Sequence, residues 1–193
     1  MMQSQSIRLA GIACIVGGSL LTILEQLPAG VAGNILTTLM QLGLACGPLG
    51  LLWLHAFGSG KLKIIGWVGS GLTWLGLTLL LAGTVSIALY PAQEFEQLFT
   101  PIGTLLAGIG MCVVSVVVAV ACRLPGWRSL AALSVGFYYP IMIPLQIIFR
   151  ISQGLEPLYV LIMLWGVPWM LLGLAILRSA PQAQPNVQPI RFV

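Results

Sequence analysis

The sequence predicts an all-α, polytopic integral membrane protein with six transmembrane helices and both termini in the cytoplasm. Three observations predict it. Hydrophobic residues make up 59% of the chain and charged residues 6%, where soluble domains carry about 25% charged residues. The apolar residues fall into six runs, each long enough for a hydrocarbon core of about 30 Å. The charges then divide by side. With six spans, the termini share a side with the second and fourth connections, and Arg8, Lys61, Lys63, Arg123, Arg128, Arg178 and Arg191 all fall there. Arg150 is the exception, and the four acids, Glu25, Glu94, Glu96 and Glu156, fall opposite. The positive-inside rule puts the basic side in the cytoplasm. A different helix count would scramble the partition, which also accounts for the net charge of +4 without a nucleic-acid partner.

The runs cover residues 7–24, 31–57, 64–90, 98–122, 130–149 and 158–177, and the breaks carry turn residues such as Leu27-Pro28-Ala29-Gly30, Gly58-Ser59-Gly60 and Leu124-Pro125-Gly126. Residues 1–179 read as one membrane domain. Residues 180–193, with Pro181, Pro185 and Pro189 among polar residues, read as an extended cytoplasmic tail. The first run reads as an uncleaved helix, because Glu25, Gln26 and Pro28 precede the only small-residue pair that could serve a signal peptidase. In that helix Gly11, Gly18 and Glu25 repeat at seven residues, so Glu25 continues a seam of small residues of the kind that marks close helix contacts.

The second run has its polar and special residues at the same interval: Asn34, Gln41, Pro48 and His55. Residues seven apart lie nearly above one another, drifting about 20° per heptad, so the stripe should face protein or water. The third run carries the clearest packing face in Gly66, Gly69, Thr73, Gly76 and Gly83, and the fourth a shorter one in Gly103, Ala107 and Gly110. The two helices are expected to pair. Between them, residues 93–99 alternate acids with Phe95, Leu98 and Phe99 and read as a short interfacial helix. The fifth run holds Pro140 and Pro144, which free the carbonyls of Gly136 and Pro140 from helical bonding. Tyr139, Gln146 and Gln153 again repeat at seven, with Arg150 one turn past Gln146. Pro168 repeats the device in the sixth run. Internal repetition is faint, and no duplication is read from it.

These residues suggest a polar seam between spans 1, 2 and 5, lined by Asn34, Gln41, Tyr139 and Gln146, with Glu25 and Arg150 paired at its outer mouth. The preferred reading is that the seam holds the bundle together by interhelical hydrogen bonds. The sharper one is a ligand or solute path. His55, the only histidine, is the one candidate for a haem or pigment ligand, although a histidine at a helix end in the interface accounts for it more simply. No cofactor is predicted. The absence of Asp and the single His argue against aspartyl chemistry and multi-histidine metal sites. Cys14, Cys46, Cys112 and Cys122 lack redox or metal spacing and read as small buried hydrophobes. No catalytic residue is identified.

The last third, from Trp127-Arg128-Ser129-Leu130 through Tyr139-Pro140, Gly166-Val167-Pro168-Trp169 and Leu171-Leu172-Gly173-Leu174-Ala175, resembles small bacterial multispanning membrane proteins of six helices, to which no activity is assigned. That resemblance implies the bacterial cytoplasmic membrane and no particular chemistry. The expected function is that of a non-catalytic structural or accessory subunit of a membrane complex, in contact with the lipid bilayer. Other subunits or a second copy would meet it through the glycine faces at Gly66, Gly69, Gly76 and Gly83. The alternative is a small-solute transporter or ligand-binding protein using the polar seam.

Overall fold

A computed structural model describes residues 2–23, 26, 30–89, 95–156 and 158–180. All of its regular structure there is helical: α1 (Met2–Thr22), α2 (Val31–Trp53), α3 (Lys61–Leu89), α4 (Phe95–Ala121), α5 (Trp127–Phe149), a 3-10 turn (Ile151–Gln153), α6 (Tyr159–Leu164) and α7 (Gly166–Ser179). Six spans are long and apolar enough to cross a membrane, the last being α6 and α7 together. The acids Glu25 and Glu94 and the tail beyond residue 180 lie outside the described residues.

The helices form an antiparallel ring in chain order, closed by α7 against α1. The most extensive interface is α3 with α4, followed by α1 with α7 and α1 with α2. Glycine explains all three. On α3 and α4, Gly69 faces Gly110 and Gly76 faces Gly103; a methyl on Gly110 would come 2.6 Å from the Gly69 carbonyl oxygen, and one on Gly103 2.8 Å from that of Gly76. On α1 and α7, Gly11 faces Gly173 and Gly18 faces Gly166, and a methyl on Gly18 would stand 2.7 Å from the Gly166 carbonyl. On α1 and α2, a methyl on Gly17 would meet the Leu44 nitrogen at 2.7 Å. Backbone therefore touches backbone, the close approach that gives membrane helices van der Waals contact where hydrophobic expulsion from water is unavailable.

The third-helix face read as a docking surface is thus used inside the chain. Gly69, Thr73, Gly76 and Gly83 meet α4, and Gly66 meets the ring of Phe57. Residues 95–99 belong to α4 itself rather than to a separate interfacial helix.

The main pairings recur when spans 1–3 are exchanged with spans 4–6, although the contact of α2 with α7 has no comparable counterpart between α5 and α3 among the described residues. Spans 1 and 2, 2 and 3, and 1 and 6 meet; so do 4 and 5, 5 and 6, and 4 and 3. Gly11, Gly18 and Pro48 recur at one common offset as Gly103, Gly110 and Pro140. A tryptophan of the third span in each half donates to a carbonyl of the second: Trp74 Nε1 to Ala45 at 3.0 Å, and Trp165 Nε1 to Val135 at 3.0 Å. The correspondence is partial, since Pro48 is buried and Pro140 exposed.

Several of the most deeply buried side chains lie where α7 meets α1 and α2. Trp169, Leu172, Ile176, Ile7 and Leu51 are fully buried there, with Trp169 and Leu172 against Gly47 and Ile176 against Gly50. The same core continues between α4 and α5 through Met111, Val114, Val118 and Val135. The outer surface is apolar, as at Ile64, Val68 and Leu75 on α3 and Leu105 and Val120 on α4. A continuous apolar exterior is foreign to soluble monomers and suits hydrocarbon. Basic residues gather at one end of the ring. There Arg178 lies 5.6 Å over the Trp127 ring and Arg128 Nη1 donates to Ser179 Oγ at 3.3 Å, joining the last span to the fifth.

Two features depart from expectation. The second span ends at Trp53, short of the predicted Phe57. His55 takes the left-handed conformation (φ 54°) that usually calls for glycine, while Ala56 N bonds back to Leu51 O and His55 N to Leu52 O. This pair of reversed bonds is the Schellman stop, and it turns His55 out of the stripe that runs from Asn34 to Pro48. Cys122 ends α4 in a similar left-handed conformation (φ 50°) and is exposed rather than buried. Of the cysteines only Cys14 is fully buried, its thiol donating to the Trp169 carbonyl at 3.3 Å.

Candidate functional site

The polar side chains of the interior divide between two places. The first lies between α2 and α3. Gln41 sits near the middle of α2 and is buried, because the flanking Met40 and Leu44 turn the same face inward. Its Nε2 donates to Thr84 Oγ1 at 3.1 Å, and that hydroxyl donates onward to Leu80 O at 3.1 Å. Gln41 Oε1 is buried with no hydrogen-bond donor among the described residues. One turn along, Trp74 Nε1 donates to the carbonyl of Ala45, next to that of Leu44, which Pro48 leaves without its helical donor.

Around these ties α2 and α3 splay. A cavity of about 310 Å³ opens beside Gln41 and Trp74, between Leu42, Leu49, Leu77 and Leu81. Toward the N-terminal end of α2, Asn34 and Thr38 line another of about 280 Å³ with Thr84. Toward the basic end, a third of about 420 Å³ is lined by His55, Lys63, Trp67 and Trp74. Leu49 and Trp74 are common to the first and third, so an apolar groove with a basic mouth runs along the outward face of the α2–α3 pair.

The second place is the hairpin of spans 5 and 6. Gln146 is buried; its Oε1 accepts the Leu158 N–H at 2.9 Å and its Nε2 donates to Met142 Sδ at 2.9 Å. Tyr138 Oη donates to Leu161 O at 2.6 Å. The Tyr139 ring lies 5.3 Å from that of Trp165 and packs on Gly108. Trp165 marks the break between α6 and α7, where Pro168 cannot donate to Leu164. The break places the indole against the Val135 carbonyl.

The predicted seam residues therefore have different neighbours rather than one shared pocket. Gln41 turns to α3, as Asn34 does, while Tyr139 and Gln146 turn to α4 and the last span. The reason is the ring order: α5 takes its main neighbours from α4 and α7. Arg150 Nε donates to the Glu156 carbonyl at 3.1 Å and closes its own turn; its expected partner Glu25 lies outside the described residues. Sequence reasoning missed Tyr138, Thr84 and Trp74. Only Trp74 carried a signal, as a tryptophan at mid-span, where its N–H has no water to meet.

His55 is exposed and shares its cavity with Lys63, not with a second metal-ligating side chain. Among the described residues no three His, Cys, Asp or Glu side chains come together as a metal group. Comparison with protein-family models, with curated proteins and with solved structures finds no match, so the chemistry of these two places rests on their geometry.

Proposed function

We propose that the chain is a multi-pass protein of the bacterial cytoplasmic membrane, with both termini inside, acting as a non-catalytic structural or accessory component of a membrane complex. One observation carries the reading. Several polar groups inside the bundle are engaged in ties within the chain: Gln146 clasps the turn into the last span, Gln41 joins α2 to α3, and Trp74 and Trp165 cap carbonyls of neighbouring helices, whereas Ser70 Oγ and Trp169 Nε1 are buried with no partner among the described residues. These bonds hold helices in place. The charge partition between the two ends supports the orientation.

Native mass spectrometry of the chain, extracted gently from its own membranes, tests this. A stoichiometric larger assembly is the expected result. A lone chain carrying a bound solute other than lipid would overturn it. Orientation is tested separately by labelling single cysteines at Lys61 and Ser152, the first expected to react only from inside and the second only from outside.

A second reading, a small-solute transporter or ligand-binding membrane protein, is favoured by two observations: the unsatisfied Gln41 Oε1 beside a cavity, and the break of the last span at Trp165 against the proline-bearing α5. Broken helices that expose backbone near the midplane are a transporter device. Gln41→Cys in a cysteine-free background separates the two. Reaction with a membrane-impermeant thiol reagent would favour a path for solutes, and protection would favour the structural role.

A further inference from the structure

We propose that the α2–α3 groove is a binding site for one anionic phospholipid, its phosphate held between Lys63 and His55 and one acyl chain lying along Leu49, Trp74 and Leu77. The inference uses the multi-pass reading but not the accessory role, and it stands whether or not the chain has protein partners.

The argument begins with the backbone. Between α2 and α3 the connection turns through three left-handed residues, His55, Gly58 and Gly60. Two are glycines, for which that conformation carries no steric penalty. The third is a histidine, for which the conformation is uncommon and strained. Here it brings the imidazole to the wall of the cavity of about 420 Å³ that Lys63 also lines. Trp53 and Trp67 line the same cavity, and tryptophan is the side chain that settles at headgroup level in membrane proteins. A cation, an imidazole able to donate, and two indoles thus surround one opening.

What lies behind the opening decides which anion fits. Leu49 and Trp74 line both this cavity and the apolar slot of about 310 Å³ between α2 and α3, so the two adjoin. A free phosphate would use the mouth and leave the slot empty, whereas a phospholipid fills both. The charge is also complementary in place. The mouth lies at the basic end of the ring, and cationic pockets between spans on that side are where anionic headgroups gather. The slot is open because α2 and α3 lack the glycine-to-glycine contact that closes α3 on α4, so nothing of this chain occupies it among the described residues.

The test is native mass spectrometry of the full-length protein in detergent, titrated with phosphatidylglycerol or phosphatidylcholine of the same acyl chains. The expected result is one tightly retained phosphatidylglycerol, preferred over phosphatidylcholine. Lys63→Ala should reduce that preference by about fivefold, the share of one cation near the headgroup. Lys63→Arg should retain it. Lys61→Ala removes the same charge from a residue that does not line the cavity, and should leave the preference intact. The proposal falls if both lipids are retained equally, or if Lys61→Ala matches Lys63→Ala, since either would mean general attraction to a basic surface. Competition by millimolar glycerol 3-phosphate would make the mouth a site for a soluble anion, and a dimer that excludes lipid would give the groove to a second copy. Failure of the variants to fold is recognised from loss of the monodisperse peak, and in that case the wild-type preference alone decides.

Discussion

The two faces of α3 are built on opposite plans. Toward α4 it presents Gly69, Thr73 and Gly76, and the helices meet backbone to backbone. Toward α2 it presents Trp74, Leu77 and Thr84, and the helices meet through two side-chain bonds with cavities on either side. The same helix, in the same apolar surroundings, makes a closed seam on one side and an open one on the other. Contact area without side-chain reach gives rigidity. Side-chain ties across a gap fix the spacing and leave room for something else. In an apolar medium the first plan depends on shape alone and tolerates no added atom, while the second depends on pairing polar groups, each worth only about 0.6 kcal/mol on average.

The contrast can be broken most sharply at Gly76. Gly76→Leu would force a side chain into the backbone of Gly103 and Ala107 and is expected to cost about 3 kcal/mol or abolish folding, read as the shift in denaturant midpoint in mixed micelles. Gly71, on the same helix, has open space around it, and Gly71→Leu should change stability by less than about 0.5 kcal/mol. Equal effects at the two positions would remove the glycine seam as the cause. Next in size is the clasp at the fifth span. Gln146→Leu strands the Leu158 N–H away from water and should cost about 1–3 kcal/mol, with hydrogen exchange rising first at Leu158. A smaller loss is expected from Trp74→Phe, which keeps an aromatic ring and deletes the donor to Ala45, at about 1 kcal/mol. The smallest is Gln41→Leu. It gives up the Thr84 bond but also removes a buried carbonyl oxygen that has no donor, and the change should stay within about 0.6 kcal/mol in either direction. A large loss there would mean that the oxygen has a partner, such as a bound water, that makes the α2–α3 side as demanding as the α3–α4 side.

The same contrast sets what the sequence could disclose. Glycines repeating at seven announce a close seam, so the pairing of the third and fourth spans was legible, while the match of Gly69 to Gly110 and Gly76 to Gly103 came from the structure. The stripe on α2 was legible from Asn34 to Pro48 because periodicity reports which face is special. It failed at His55, where a left-handed residue stopped the helix without a glycine to signal it. Periodicity also does not report who faces the stripe. Gln41 and Gln146 share a chemistry and a spacing rule, yet one turns to α3 and the other to a loop amide twelve residues on. That choice is made by the ring order, which depends on the closure of α7 on α1, a contact between residues as far apart as Cys14 and Trp169. The recurrence of Gly11, Gly18 and Pro48 as Gly103, Gly110 and Pro140 was likewise invisible until the contacts showed that each glycine pair does the same work in its half.

The closure of α7 on α1 has a consequence for biogenesis. Spans are made in order, and α3 can dock on α4 as soon as both have left the ribosome. The first span must wait through the synthesis of the rest before its second seam is filled, because Cys14 and Trp169 are 155 residues apart. In a chain inserted span by span, Gly11 and Gly18 would until then form a bare groove, a mark that would distinguish an unfinished chain from a finished one. Chains stopped ahead of the last span should carry that mark permanently and be cleared faster than chains stopped within the polar tail.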